Sequence, residues 1–224
     1  CQRHLDDLEH GRERGLKWEP KACQHVLDFF SYLRLPSVEG LDGQPFVLHP
    51  SQEFIVGSLF GWKGPDGYRR FRTAYVEQGK GSGKTGVAAS LGLYGLVADR
   101  EPAAEIYSAA VTREQASICF RDARMMAEAS PTLRSRLDIG LYNLACLATG
   151  SFFRPVSSEH RGLDGKRVHM GLIDEIHEHR TAAVVDKIRA GTKARKQALI
   201  FCITNSGYDK ATICWQYHDY SRKI

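Results

Sequence analysis

From Tyr75 to Thr85 the chain reads Tyr-Val-Glu-Gln-Gly-Lys-Gly-Ser-Gly-Lys-Thr, with glycines at 79, 81 and 83 just before a lysine and a hydroxyl. Phe71 to Val76 ahead of it has the composition of a strand. Lys84 to Ala98 behind it places Val87, Ala88, Leu91 and Tyr94 on one helical face. A strand that turns through glycines into a helix restricts the fold, because it aims backbone N–H groups and the positive end of a helix at one point. That point suits phosphate oxygens, with Lys84 placed for the β- and γ-phosphates and the Thr85 hydroxyl for Mg2+. Gly79, Lys80, Gly81, Ser82 and Gly83 complete the candidate loop. The usual Gly-x-x-x-x-Gly-Lys-Ser/Thr pattern wants its first glycine at Gln78. The competing reading is a glycine-rich turn whose lysine sits on a solvated helix end.

A second signal answers the first. Val168 to Ile173 is an apolar run of strand length that ends on Asp174 and Glu175. Open α/β sheets bind ligands at this C-terminal end of a strand. Asp174 is expected in the metal shell, and Glu175 is expected to orient and polarise the attacking water. A carboxylate poised over water favours hydrolysis over transfer to a small molecule, since a kinase keeps water from the γ-phosphate. Ala198 to Ile203 is another unbroken apolar run, followed by Thr204, Asn205 and Ser206, polar groups able to sense the γ-phosphate. An ordinary polar turn explains the same three residues equally well.

The remaining pattern alternates strand and helix. Ala104 to Ala109 reads as a strand. Thr112-x-x-Gln115 opens a helix as a capping box, with Ala116, Cys119, Phe120, Ala123, Met126 and Ala127 forming its stripe. Leu144 to Val156 reads as two short strands around Thr149-Gly150, and Ala182 to Gly191 as a helix. Upstream, Pro20 to Leu33 and Pro50 to Phe60 read as helices around a looped stretch from Pro36 to Pro45, and Gly64-Pro65-Asp66-Gly67 is a strong turn. The expectation is therefore an α/β P-loop NTPase with a mostly parallel sheet flanked by helices and an N-terminal helical decoration. Residues 1–67 would form the decoration and 68–224 the ATPase core.

With 224 residues the chain holds one large core and is short for two domains. A net charge of +5 is compatible with a polyanionic partner. Six cysteines without Cys-x-x-Cys spacing, mostly in apolar runs, fit a reducing compartment. No stretch approaches the roughly 20 apolar residues of a membrane span, so no membrane partner is expected. The chain opens on Cys1, which suits a fragment or processed form.

These residues resemble the large terminase subunits of tailed double-stranded DNA bacteriophages, the motors that package genomes into procapsids. The resemblance lies in Glu77 to Thr85, in Arg161-Gly162-Leu163-Asp164-Gly165 ahead of Leu172 to His177, in Thr204 to Ser206, and more weakly in Leu48-His49-Pro50-Ser51-Gln52. The family's loop departs from the usual pattern and carries an early basic residue, which matches Lys80. The resemblance implies an ATPase core of the RecA-like type with an additional catalytic glutamate. ATP and Mg2+ would be its ligands, and Lys84, Lys80 and Glu175 its catalytic groups. It implies an adenine contact at Gln52, against a polar helix face as the alternative, and coupling through Thr204 to Ser206. It implies subunit rings in which Arg161 reaches the neighbouring γ-phosphate, with Arg167, Arg113 and Arg154 as rivals. Double-stranded DNA, a portal protein and a small terminase subunit would be partners, in the cytoplasm of the infected bacterial host. The family's second, nuclease domain has no counterpart pattern among Asp186, Asp209 and Asp219, so no DNA cleavage is expected of this chain alone.

Two further features stand out. His177-Glu178-His179 tempts as a metal pair, but residues two apart diverge on a helix and no open ligand set accompanies them. Lys187, Arg189, Lys193, Arg195 and Lys196 form the densest basic cluster, open to two readings: a grip on DNA phosphates or a solvated helix face. The rival function is a helicase-like or other DNA-remodelling ATPase, which needs a second RecA-like domain. A small-molecule kinase and a non-catalytic nucleotide-dependent scaffold are the remaining alternatives.

Overall fold

The computed structural model describes residues 2–35, 43–157, 165–207 and 209–223. In chain order these form α1 (Gln2–His10), β1 (Lys17–Trp18), α2 (Pro20–Ser31), α3 (Pro50–Gly61), β2 (Trp62–Lys63), β3 (Thr73–Glu77), α4 (Lys84–Val97) and β4 (Glu105–Ala110). There follow α5 (Arg113–Ala129), α6 (Pro131–Arg134), β5 (Asp138–Ile139), β6 (Leu144–Cys146), β7 (Ser151–Ser157), β8 (Val168–Ile173), α7 (Ala183–Gly191), β9 (Leu199–Thr204) and α8 (Ile213–Lys223).

The main sheet has seven strands in the order β3-β9-β8-β4-β7-β6-β5. The first five run parallel, and β5 and β6 close the far edge as an antiparallel extension of β7. The turn expected at Thr149-Gly150 joins β6 to β7, with Gly150 at φ 68°. Because side chains alternate across a strand, β8 and β9 feed two cores. Met170, Leu172, Phe201 and Ile203 face α4 and α5, while Ile173, Ile200 and Cys202 face α7 and α8. On α4, Gly92 and Gly95 permit close approach to the sheet: a Cβ at Gly92 would lie 2.5 Å from Phe153, and one at Gly95 would lie 2.5 Å from Met170.

The N-terminal helices share the first of these cores. Phe29 and Phe60 set their rings edge-on to Tyr94 of α4, at centroid distances of 5.4 and 4.8 Å. The small sheet β1-β2 pairs Trp18 with Trp62, and His4 of α1 packs on both indoles. Helix α1 lacks an apolar anchor, since Leu5 and Leu8 are exposed. It is held instead by buried Asp7, which pairs with Arg14 and, at 2.5 Å, with Arg70. Helix α5 begins with the expected capping box: Gln115 N donates to Thr112 Oγ1 at 3.2 Å and Thr112 N to Gln115 Oε1 at 3.3 Å. No described helix is long and apolar enough to cross a membrane.

Candidate nucleotide site

The strand order decides what meets at the top of the sheet. β9 lies between β3 and β8, so the end of β9 stands between the glycine loop that leaves β3 and the acidic pair that leaves β8. Gln78 N donates to Thr204 O at 3.0 Å, which fastens the root of the loop to β9. Gly81 and Gly83 take φ 78° and 74°, the left-handed region in which side chains are strained. Added Cβ atoms at Gly79 and Gly81 would meet nothing within 4 Å, so the loop has an open face.

Lys84, the first residue of α4, is buried, yet its ammonium reaches two groups from other strands. Nζ donates to Asn205 Oδ1 at 2.7 Å and lies 3.6 Å from Glu175 Oε1. Thr85 Oγ1 is 3.3 Å from Asp174 Oδ2. Burial, helped by the neighbouring Glu175 charge, pushes the Asp174 carboxyl up to about 6. Glu175 has φ 47° and ψ 54°, a left-handed conformation that costs a β-carbon residue roughly 1–2 kcal/mol. The strain sits where the chain leaves β8 and turns into the short 3₁₀ segment Ile176–Glu178.

The donor set fits a hard divalent cation beside a phosphate. A hydroxyl and a buried carboxylate, both oxygen donors, face each other. Among the described residues Ser82 Oγ is buried without a hydrogen-bond partner, an orphan that a phosphate oxygen would satisfy.

Most of the sequence-derived site residues come together here: Gly79, Lys80, Gly81, Ser82, Gly83, Lys84, Thr85, Asp174, Glu175, Thr204, Asn205 and Ser206. Lys80 is on the exposed loop tip. Gln52 reaches the loop but with its amide engaged at both ends. Its Nε2 donates to Ser82 O at 3.0 Å, and its Oε1 accepts from His49 N at 2.9 Å in the cap of α3. An adenine contact therefore requires exchanging those bonds. Arg161 lies outside the described residues. Of its rivals, Arg154 is committed elsewhere, donating to Asn143 Oδ1 at 2.7 Å and covering the Phe152 ring.

In the basic cluster on and after α7, Arg189 and Arg195 are engaged within the chain. Arg195 pairs with Glu101 at 2.8 Å and donates to the carbonyls of Pro102 and Ala103. Arg189 binds Asp186 and the Tyr217 hydroxyl. Two residues that the sequence did not single out as site groups also stand in the site. Glu77 accepts from Ser206 Oγ and Tyr75 OH at 2.8 Å each and pairs with His218 of α8 at 2.8 Å. His177 lies 3.2 Å from Glu175 Oε2 and 2.9 Å from Thr204 Oγ1. Its spacing to Glu175 was visible in the sequence, but its contact to Thr204 depends on the β8-β9 register.

Residues 50–223 match the protein family described as terminase large subunit, ATPase domain. The fold is similar to the crystal structure of the HK97 bacteriophage large terminase, with a TM-score of 0.77 and 25% identity over 90% of this chain and 41% of that one. It is also similar to the large terminase ATPase domain of Thermus phage P74-26, with a TM-score of 0.55 and 19% identity over 82% of this chain and 73% of that one. Protein YmfN of Escherichia coli strain K12 is 38% identical over 52 residues, 23% of this chain and 11% of that protein. The chain thus spans less than half the length of the HK97 protein and about a tenth of YmfN.

Proposed function

The chain belongs to the terminase large subunit ATPase domain family, and from that premise we propose that it is a Mg2+-dependent ATP hydrolase whose turnover drives double-stranded DNA into a procapsid. One observation carries the reading: Lys84 and Thr85, from the glycine loop, stand within 3.6 Å of Glu175 and Asp174, from the acidic strand.

Thr85 and Asp174 would hold the cation, which when bound would neutralise charge on the phosphate oxygens. Lys84 exchanges Asn205 and Glu175 for the β- and γ-phosphates, and the loop N–H groups cradle the same oxygens. Glu175 orients a water in line with the γ-phosphorus and accepts its proton. Exposed Lys80 adds positive charge at the loop tip. Thr204, Asn205 and Ser206 relay phosphate loss, and Ser206 hands it through Glu77 to His218 on α8. Arg161 would complete the site from a neighbouring subunit of a ring. Portal protein and small terminase subunit are proposed partners, and the host cytoplasm the site of action.

The test is phosphate release and ATP binding by the chain with Mg2+ and with chelator, with and without double-stranded DNA. Hydrolysis should require Mg2+, and Lys84→Ala should abolish ATP binding. Wild-type ATP affinity and turnover in Lys84→Ala would overturn the assignment.

A further inference from the structure

Glu175 has a problem of position. Its backbone is in the left-handed region, its side chain is a third exposed, and Lys84 lies 3.6 Å from it. Phosphate competes directly for that ammonium. Among the described residues the other side chain beside the carboxylate is His177, whose Nδ1 is 3.2 Å from Oε2.

The surroundings of His177 fix its ring. Its backbone N–H donates to Thr204 Oγ1 at 3.2 Å, and its Nδ1 is 2.9 Å from the same oxygen. Thr204 is buried and spends its only hydroxyl hydrogen on Asn205 O at 2.8 Å. Oγ1 can then only accept from the ring, so Nδ1 carries a hydrogen. That hydrogen points to the Thr204 hydroxyl, while Glu175 Oε2, which has no hydrogen bond of its own among the described residues, lies 3.2 Å from the same nitrogen, at ion-pair distance. The far edge of the ring is met as well, with Nε2 at 3.1 Å from Glu178 Oε1. Asn205, next to Thr204, is the acceptor for Lys84 Nζ. Glu175, His177, Thr204, Asn205 and Lys84 thus close a ring of contacts spanning the glycine loop, the acidic strand and the strand between them.

We propose that His177 is a positioning residue that ties the Glu175 carboxylate to the end of β9 through the Thr204 hydroxyl, keeping it aimed at the attacking water while Lys84 serves the phosphates. His177 can play this part only if Glu175 is the hydrolytic carboxylate proposed above. It touches neither nucleotide nor water and transfers no proton. Its use of Nδ1 has a consequence: asparagine presents an amide nitrogen close to the Nδ1 position, whereas glutamine presents one close to Nε2.

The experiment measures steady-state ATP hydrolysis with Mg2+ in His177→Ala, His177→Asn, His177→Gln, Thr204→Val and the His177→Ala/Thr204→Val pair, with Glu175→Gln as reference. His177→Ala should lower kcat about 10–100-fold, as loss of a group that orients a catalytic residue does, with KM for ATP little changed. His177→Asn should recover most of that loss and His177→Gln should not. The double variant should be no slower than the slower single one, because both cut the same tie. Equal losses in the Asn and Gln variants, a raised KM at wild-type kcat, or additive losses in the pair would overturn the proposal. If His177→Ala does not fold, the Asn and Gln variants alone decide. Wild-type turnover in Glu175→Gln would instead sink the hydrolytic role of Glu175. An inactive Glu175→Gln beside fully active His177 variants sinks only the tie.

Discussion

The two ends of the parallel sheet both bury charge, and they do so in opposite ways. At the lower end, where strands begin, Arg69 donates to both Asp99 oxygens at 2.9 and 2.7 Å and to Gln197 O at 2.7 Å. His169 Nε2 meets the same carboxylate at 2.6 Å. Nearby, Arg195 joins Glu101 to the carbonyls ahead of β4. These bonds join the entries to β3, β4, β8 and β9, and all their partners belong to the chain itself. At the upper end, Lys84 and Glu175 stand 3.6 Å apart and Thr85 and Asp174 3.3 Å. There the partners are ones that a phosphate or a cation would replace. A buried charge with permanent partners fixes the fold, whereas one with exchangeable partners can do chemistry.

If that division is real, the upper end can be disarmed without loosening the fold. Glu175→Gln should lower turnover about 10²–10⁴-fold, the share of a positioned general base. Its thermal midpoint should hold or rise, because the substitution removes the like charge that, after burial, helps raise Asp174. A calorimetric midpoint well below wild type would make the upper end structural too, and erase the contrast.

The lower end should behave in the reverse sense. Asp99→Asn keeps the shape of the side chain but leaves the buried Arg69 guanidinium without its counter-charge, at a cost of about 3–5 kcal/mol in urea unfolding. Nucleotide affinity of the folded fraction should match wild type. Reduced affinity at unchanged stability would show that the two ends are not separable in this way.

The upper end was far more legible in the sequence than the lower. The loop Gly79 to Thr85 and the pair Asp174-Glu175 are contiguous runs, the pattern expected of the phosphate and cation roles proposed for them, so they can be read locally. The lower network joins residues brought together only by topology: Arg69 reaches Asp99 and Gln197, and Arg195 reaches carbonyls more than ninety residues earlier. For the same reason the sequence left Arg195 open to a DNA grip or a solvated helix face and did not reveal its bonds to Glu101, Pro102 and Ala103. In the sequence His177 offers only a metal-ligand role, because nothing local reveals that β9 sets Thr204 beside it. Helices α1 and α8 escaped because neither is organised by a long apolar stripe. One is held by Asp7, and the other buries Ile213 and Cys214 and stacks Tyr217 on Tyr75.

The smallest effect separates the two aspartates by pH. Burial alone would raise Asp99, but the Arg69 charge and the His169 hydrogen bond outweigh it and hold the carboxyl below its ordinary value of 3.8. Its contribution to stability is present above that value and is lost as pH falls through the still lower value in the fold. Asp174 runs the other way. With its carboxyl raised to about 6, the folded chain takes up a proton between roughly pH 6 and 3.8 that the unfolded chain does not, so stability rises as pH falls through that window. In the presence of chelator, the urea midpoint of wild type should therefore gain on that of Asp174→Asn between pH 7 and pH 5. Added Mg2+ should flatten the difference, since a cation held by Asp174 favours the ionised form. Parallel midpoint curves for the two proteins in chelator would show that Asp174 titrates normally, and that the upper end is no more strained electrostatically than the lower.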